Sequence, residues 1–243
     1  MKIIILILFS SLAIGQNHLV NTFGEAKAHL RLIYGNKNKT FYCACDYQKN
    51  SIAGDCQLFF KNYKKRKKRL EWEHVVPAHS FGQSFYSWRE HKKICPAKKN
   101  KKGKLKFKGS RKCAHKKDKL FRFMEADLYN LVPSVGAVNA LRSNYSFVDT
   151  VDSKKSAVCT NGPVILARKI QPPARIKGDI ARIYQYMDLT YPNRGIISKK
   201  NKSIFELWSK SDPVDKNECS IYQKKKNIQK NNNPILEKLC LNL

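Results

Sequence analysis

The chain carries, at residues 70–78, the segment Leu70-Glu71-Trp72-Glu73-His74-Val75-Val76-Pro77-Ala78. Its apolar and aromatic residues are typical of a β-strand, and Pro77, which has no backbone N–H, ends the hydrogen-bond ladder. Glu73 and His74 are neighbours within it. A carboxylate can ligate a hard divalent cation, and an imidazole can accept a proton near neutral pH. A metal ion and a base together hydrolyse phosphate esters, so this segment predicts a metal-dependent hydrolytic site.

The geometry of a strand places a condition on that prediction. Successive side chains of a regular strand point to opposite faces, so Glu73 and His74 would diverge. We therefore expect a bend or a bulge at this pair, as is common beside active sites. His79 lies five residues after His74 with Pro77 between them, which is not the helical spacing of a zinc protease site. We interpret His79 as a structural residue.

The run that precedes the strand, from Lys61 to Arg69, is strongly basic. Over the whole chain 48 Lys and Arg stand against 18 Asp and Glu, which gives a formal net charge of +30. Such an excess points to nucleic acid or an anionic surface as a partner, although a genome rich in A·T would also enrich lysine. A solvated loop would need no function. Beside a hydrolytic site, however, we expect Lys67, Lys68 and Arg69 to contact nucleic-acid phosphates.

The N-terminus has the pattern of an export signal. Lys2 precedes an apolar run that ends at Phe9, and small residues follow at Ala13 and Gly15. Removal of residues 1–15 leaves the mature domain, residues 16–243. The apolar run is short for a bilayer span, which takes about 20 residues. We therefore expect a periplasmic or secreted protein without stable membrane association, with a retained membrane anchor as the alternative.

An even number of cysteines behind an export signal indicates disulfides. The eight are Cys43, Cys45, Cys56, Cys95, Cys113, Cys159, Cys219 and Cys240. Zinc is the alternative, but Cys43 and Cys45 have one residue between them instead of the usual two to four, and no second pair follows. The pairing stays open, apart from an expected Cys95–Cys113 bridge. That bridge would close a basic insertion of about residues 94–113, for which a disordered segment is the alternative.

Hydrophobic periodicity and turn residues outline the rest of the chain. Helices are predicted over residues 21–34, 80–90 and 176–189, with two more beginning near residues 137 and 204. Strands are predicted over residues 40–43 and 158–167, and a loop tied by a disulfide over residues 219–240. Thr22 with Glu25 suits the start of the first helix, and Gly35 suits its end.

Several blocks of the chain together carry a family pattern. They are Glu71-Trp72-Glu73-His74-Val75-Val76-Pro77-Ala78, the segment from Met124 to Asn139, Arg142-Ser143-Asn144 and Pro172-Pro173-Ala174-Arg175. In this order they resemble the bacterial endonuclease I family of periplasmic and secreted nucleases, over nearly all of the mature chain. The resemblance implies an α+β fold, a single mixed domain with a ββα-metal (His-Me finger) motif surrounded by helices and stapled by disulfides.

The resemblance also implies roles for individual residues. Glu73, on the β part of the motif, and Asn139, on its helix, would hold one Mg²⁺, with Ca²⁺ or Mn²⁺ as alternatives. His74 would be the general base. Arg111 matches an arginine that steadies the scissile phosphate, and Glu125 matches an acidic residue that supports the catalytic site.

The implied activity is endonucleolytic hydrolysis of DNA that leaves 5′-phosphate ends, with cleavage of RNA left open. Sequence specificity should be low, because contacts to backbone phosphates position a protein without reading bases. We expect a monomer, in which Arg142 is a further nucleic-acid contact.

The chain departs from the family pattern close to these residues. Two acidic positions of the family are lost at Ala137 and Leu141, Ala140 replaces a glycine, and Tyr129 stands where histidine is usual. These changes leave room for a secreted cationic protein that binds nucleic acid with weakened or no catalysis. A phosphodiesterase of small substrates is another alternative, although small esters need no long basic track.

Overall fold

A computed structural model describes residues 15–54, 56, 63–99, 101, 103–151, 157–241 and 243. The predicted export signal, apart from Gly15, lies outside these residues. No helix in the described part of the chain is both long and apolar enough to span a bilayer.

Helices make up most of the regular structure. They are α1 (Phe23–Tyr34), α2 (Ala78–Gly82), α3 (Tyr86–Arg89), α4 (His91–Ile94), α5 (Ser110–Lys117), α6 (Lys119–Glu125), α7 (Gly136–Arg142), α8 (Lys177–Thr190), α9 (Lys199–Ser211), α10 (Lys216–Gln229) and α11 (Pro234–Cys240). Short 3₁₀ turns occupy Arg66–Lys68, Leu128–Asn130 and Ala174–Ile176.

The strands are short and form small sheets. They are β1 (Lys37–Lys39), β2 (Asp46–Gln48), β3 (Ser51–Ile52), β4 (Leu70–His74), β5 (Lys98–Lys99), β6 (Leu105–Lys106), β7 (Leu131–Val135), β8 (Ser146–Phe147), β9 (Val164–Leu166) and β10 (Lys169–Gln171). Within the described residues the sheets have the orders β1-β2-β3, β8-β10-β9, β4-β7 and β5-β6. Mixed helices and small sheets agree with the predicted α+β class.

The centre of the fold is the antiparallel pair of β4 and β7, followed directly by α7. The register runs without interruption from Leu70 opposite Val135 to His74 opposite Leu131. Gly136 begins α7, and a Cβ there would lie 2.7 Å from Oε1 of Glu71. The missing side chain therefore lets the helix start directly under the carboxylate of β4.

Helix α1 forms as its sequence predicts. Thr22 caps the N-terminus by accepting a hydrogen bond from the backbone N–H of Glu25, and Gly35 ends the helix with a φ of 72°, a conformation that glycine adopts without strain. The inner face is apolar and packs against β4, where the ring of Tyr34 lies 5.5 Å from that of Trp72. Helix α1 thus covers the strand that carries Glu73 and His74.

A buried carboxylate connects the middle of the chain to its C-terminal helices. Asp127 accepts hydrogen bonds from the hydroxyls of Tyr186 and Tyr191, at 2.9 and 2.7 Å, and from Nε2 of Gln229 at 3.0 Å. The backbone N–H of Tyr129 donates at 3.0 Å. Asp127 has no exposed surface, so these donors replace the water that the carboxylate loses on folding.

All eight cysteines are paired, which rules out zinc ligation by thiolates. The disulfides are Cys43–Cys159, Cys45–Cys56, Cys95–Cys113 and Cys219–Cys240. The predicted Cys95–Cys113 bridge is confirmed. The Cys43–Cys159 bridge spans 116 residues and could not be read from local spacing.

Three predicted elements were wrong. Residues 40–43, predicted as a strand, form a turn after β1. The helix predicted over residues 80–90 is divided into α2 and α3, and the ring of Trp88 on α3 packs directly on Gly82, the last residue of α2. The loop predicted over residues 219–240 is instead the pair of helices α10 and α11, which the Cys219–Cys240 disulfide joins.

Candidate active site

A cleft of about 750 Å³ opens along β4. All five residues of the strand line it, together with residues of α1, α5 and α7. Because the side chains of a strand alternate between its faces, a cleft that contacts five consecutive residues must follow the edge of the strand. The cleft brings together Glu73, His74, Arg111, Asn139 and Arg142.

The expected bulge at Glu73 and His74 is absent. Both residues keep one-to-one partners, Val132 and Leu131, on β7. They line one cleft nonetheless, because the cleft follows the strand edge and is reached from both faces. A distortion of the backbone is therefore not needed to bring the carboxylate and the imidazole to one site.

The imidazole of His74 is buried and held in one tautomer. Its Nε2 lies 2.8 Å from the backbone carbonyl oxygen of Glu125. A carbonyl only accepts hydrogen bonds, so Nε2 carries the proton and Nδ1 of the neutral ring has the lone pair. Burial, reinforced by the positive charge of Arg111, lowers the pKa of His74 to about 4. The ring of Phe23 packs 4.7 Å from the imidazole. At neutral pH His74 is thus an oriented neutral base.

The carboxylate of Glu73 is buried beside a single cation. Oε1 lies 3.2 Å from Nε of Arg142, but neither atom makes a hydrogen bond of good geometry with any described group. Burial raises the pKa of Glu73 to about 7, against the opposing charge of Arg142. Arg142 therefore opposes the negative charge of this side chain, but Oε1 has no hydrogen-bond partner among the described residues.

The guanidinium of Arg142 is directed into the protein. Arg142 is 1% exposed; it donates to the backbone carbonyls of Val75 and Ser143 and lies 5.1 Å from the ring centre of Phe147. These contacts place it behind Glu73. Its contact with nucleic acid stays a prediction.

The amide of Asn139 is oriented by a residue that the sequence did not single out. Nδ2 of Asn139 donates to Oε2 of Glu71 at 3.0 Å, so the amide nitrogen is engaged and the amide oxygen is the atom available as a ligand. Arg66 and Arg69 bind the same carboxylate. Partial burial opposes the ionisation of Glu71, but these hydrogen bonds outweigh it and lower its pKa. The position of Glu71, two residues before Glu73 on the same strand face, could have indicated this role.

Glu125 holds Arg111 at the mouth of the cleft. Oε1 of Glu125 lies 2.5 Å from Nε of Arg111, and Oε2 lies 2.6 Å from Nδ1 of His115. Burial opposes ionisation of Glu125, but the two partners prevail and lower its pKa. Arg111 is about half exposed and lines the cleft, whereas Glu125 lies behind it. No sequence pattern marked His115.

The basic run reaches the cleft only in part. Arg69 and Arg66 line it, while the exposed side chains of Lys67 and Lys68 lie on the adjoining 3₁₀ turn and do not. Their role as nucleic-acid contacts stays a prediction.

Comparison with known proteins identifies the family of this chain. The chain matches the Endonuclease I family over residues 16–240. This chain belongs to the Endonuclease I family. It is 34% identical over 226 residues to an extracellular deoxyribonuclease of Aeromonas hydrophila, a match that covers 90% of each chain.

Two further relatives extend the comparison. One is Endonuclease-1 of Buchnera aphidicola subsp. Acyrthosiphon pisum (strain APS), 36% identical over 227 residues, or 91% of this chain and 82% of the relative. The other is a periplasmic deoxyribonuclease of Aeromonas hydrophila, 32% identical over 232 residues, or 93% and 89%.

The departures of this Endonuclease I chain from the expected pattern have local explanations. Tyr129 is a core residue whose hydroxyl donates to the backbone carbonyl of Asn231 at 2.9 Å, and it does not line the cleft. Ala137, on α7, is completely buried. Ala140 and Leu141 are half-buried and also do not line the cleft. None of these four residues contributes a polar group to the site.

The residues present fit a hydrated hard cation. No group of three or more His, Cys, Asp or Glu side chains among the described residues is arranged as a metal site. Glu73 and Asn139, however, offer one carboxylate and one amide oxygen in a single cleft. Mg²⁺ commonly binds through one or two protein ligands and keeps several waters. The buried Oε1 of Glu73, which has no hydrogen-bond partner among the described residues, is an atom that such an ion would bind.

Proposed function

We propose that this chain is a secreted endonuclease that hydrolyses phosphodiester bonds of DNA with the aid of one divalent cation. The first candidate for this cation is Mg²⁺. The observation that carries the proposal is the fixed tautomer of His74 in the same cleft as Glu73 and Asn139. The names of the relatives, extracellular and periplasmic deoxyribonucleases, support DNA as the substrate and the periplasm or the extracellular medium as the location.

We assign the unit of β4, β7 and α7 to the ββα-metal motif. The supporting geometry is the antiparallel strand pair, with the base and the carboxylate on its first strand and the amide of Asn139 on the helix that follows. Asn139 would bind through its amide oxygen while Glu71 holds its nitrogen. A bound cation would add positive charge where the pentavalent phosphate and the leaving oxygen become more negative.

His74 performs the proton transfer in this mechanism. Nε2 donates to the carbonyl of Glu125, and Nδ1 accepts a proton from the water that attacks phosphorus. The bond from phosphorus to the 3′ oxygen breaks and that oxygen takes a proton from solvent water, so the products carry 5′-phosphate and 3′-hydroxyl ends.

Arg111 stabilises the phosphate. Its guanidinium is fixed by Glu125 through Nε, which leaves other N–H groups to donate to non-bridging oxygens of the substrate. Charge-assisted hydrogen bonds of this kind are among the stronger ones in proteins. Because such contacts address the backbone, sequence preference is expected to be small and affinity to fall steeply with salt.

A plasmid-nicking assay with and without EDTA tests the proposal. Wild type should nick plasmid DNA with Mg²⁺ and stop in EDTA. His74→Ala should reduce the rate by about 10²–10⁴, the usual range for a general base, while DNA affinity persists. His18→Ala, which removes an exposed histidine outside the cleft, is the matched control and should remain active.

The same assay separates the alternatives. A cationic binding protein would bind DNA and nick it under no condition. A phosphodiesterase of small substrates would hydrolyse a nitrophenyl phosphodiester but leave plasmid intact. Either result would overturn the proposal, as would cleavage by Glu73→Ala at the wild-type rate across a Mg²⁺ titration.

A further inference from the structure

Arg111 belongs to three grooves at once. It lines the cleft with Glu73 and His74, a groove of about 880 Å³ over the basic insertion, and a groove of about 930 Å³ beside the start of α1. The two outer grooves also share Lys108, Lys112 and Lys116. The surface of the insertion is therefore continuous with the candidate active site, and Arg111 is the point where they join.

The groove over the insertion, which we call the insertion groove, is lined by positively charged side chains and by no negatively charged ones among the described residues. Its cationic lining residues are Lys98, Lys99, Lys106, Lys108, Arg111, Lys112, Lys116 and Lys117. No acidic side chain is among the described residues that line it, and the sequence from 94 to 113 has no Asp or Glu. A concave surface of this kind attracts a polyanion.

Positive charge alone does not distinguish a nucleic-acid binding groove from a solvated lysine-rich loop. The exposed aromatic ring of Phe107 is the feature that favours a binding groove. Phe107 lines the insertion groove and remains 48% exposed, between Lys106 and Lys108. The ammonium of Lys92 lies 5.8 Å from its ring centre. An exposed phenyl ring flanked by cations matches the lining of single-strand binding channels, in which bases stack on aromatic rings and lysines follow the backbone.

The insertion presents Phe107 on a fixed support. The Cys95–Cys113 disulfide closes its base, and both cysteines are buried. Strands β5 and β6 pair in antiparallel register, with Lys99 opposite Leu105. Phe107 follows β6 directly, so its backbone continues from a paired strand, which reduces the part of the insertion that binding would have to order.

We propose that the insertion groove binds single-stranded DNA that leads away from the cleft, with Phe107 stacked on one base. The inference rests on the proposed function, because it concerns the substrate of that cleft. It adds a preference: the protein should hold unpaired strands more tightly than its phosphate contacts alone would allow.

Binding measurements in the His74→Ala background, where the DNA stays intact, test the proposal. Fluorescence anisotropy would compare an oligothymidylate with a duplex of the same length. Phe107→Ala should weaken binding of the single strand about tenfold, the equivalent of one lost stacking contact, and binding of the duplex less than twofold. Tyr86→Ala removes a ring that is 62% exposed on α3 and should change neither.

A salt titration identifies the phosphate contacts of the same groove. Lys106→Ala with Lys108→Ala should lower the slope of log K against log salt by about 1.4 for the single strand, as expected for two lost phosphates. Lys200→Ala with Lys202→Ala, on α9 and outside the three grooves, should leave it unchanged. Phe107→Ala should preserve the slope, since stacking releases no counterions.

Unchanged binding of Phe107→Ala to the oligothymidylate would overturn the proposal, and so would equal losses for single strand and duplex. Correct folding of the variant is checked by its four intact disulfides and its circular dichroism. Failure of the nuclease assignment looks different, since wild-type protein would then not nick plasmid while the effect of Phe107→Ala on binding persisted.

Discussion

The backbone carbonyl oxygen of Glu125 lies 2.8 Å from Nε2 of His74. The carboxylate of the same residue holds Arg111. One residue therefore orients the proposed base through its backbone and the proposed phosphate-binding arginine through its side chain. A side-chain substitution can separate the two effects.

Replacing Glu125 by Gln should affect Arg111 and spare His74. Because the carbonyl remains, the imidazole keeps its tautomer, while the charge-assisted bond to Arg111 becomes a weaker neutral one. We expect kcat to fall about tenfold, less than the ~10²–10³ that follows removal of a transition-state donor itself. Steady-state cleavage of an oligonucleotide duplex measures this.

The control for that variant is Glu237→Gln, which weakens an ion pair with Lys226 on the C-terminal helices. It should leave kcat unchanged. A Glu125→Gln protein as inactive as His74→Ala would show instead that the carboxylate, and not the carbonyl, sets the state of the base.

Glu71→Ala should weaken the response to metal and spare the chemistry. The carboxylate of Glu71 binds Nδ2 of Asn139, and loss of a group that orients a metal ligand costs about 10–100-fold in metal affinity. The Mg²⁺ concentration for half-maximal nicking should rise about tenfold, with most of the rate recovered at saturation. Glu206→Ala, exposed on α9, is the control. An unchanged Mg²⁺ midpoint would contradict the role assigned to Asn139.

The pH dependence of stability should reveal two opposing groups in metal-free protein. With its pKa lowered to about 4 in the fold, His74 binds a proton more readily in the unfolded chain, so its contribution to stability is lost as pH falls from about 6.5 to 4. With its pKa raised to about 7, Glu73 binds a proton more readily in the folded chain, so acidification from about 7 to 4.5 stabilises it. In wild type the two trends nearly cancel.

Single variants expose each trend in turn. Relative to wild type, Glu73→Gln should lose stability between pH 7 and 4.5, and His74→Ala should gain it, each by up to about 3 kcal/mol from a shift of about 2.5 pH units. Urea unfolding in EDTA at the two pH values measures the difference. Parallel pH profiles for both variants and wild type would contradict the burial of these groups.

Reduction of the disulfides should inactivate the protein. The Cys43–Cys159 bridge closes 116 residues, and a loop of that size is worth about 4–5 kcal/mol in the chain-entropy account, a large part of a typical folding free energy. The replacement of both Cys43 and Cys159 by Ser should lower Tm by about 10 °C or more. Scanning calorimetry and nicking of the reduced and oxidised forms provide the test. Full activity after complete reduction would contradict it.

Local chemistry made much of the fold predictable. The capping pair of Thr22 and Glu25, the terminating Gly35 and the apolar stripe of α8 gave the helices their correct places. The strand that ends before Pro77 was likewise readable from its composition.

Helix α10 was not predicted because two of its three buried residues are polar. The inner face of α10 carries Lys225, whose ammonium donates to the carbonyl of Leu131, and Gln229, which binds Asp127. A method based on hydrophobic periodicity finds no stripe there. Asn233 was taken for a loop residue, but its side chain caps α11.

The site was predictable to a different degree. Glu73 and His74 were evident from their chemistry as neighbours on a strand, whereas Arg111 and Asn139 were found through the family resemblance. Long-range packing brings these four into one cleft, and spacing along the sequence contains no information about it. Three further residues contact the site, and no sequence pattern predicted them: Phe23, Glu71 and His115.

The hydrogen-bond partners of Asp127 are synthesised at different times as the chain is made. Its donors include Gln229, and the neighbouring Tyr186 hydroxyl is held by Asn231, near the end of the chain. A nascent polypeptide emerges N-terminus first, so the strands of the cleft are made long before Gln229, the last of the donors to this carboxylate. Completion of the centre therefore waits for the tail, and a chain stopped short of α10 would keep the two tyrosine hydroxyls but lack the amide that Gln229 supplies.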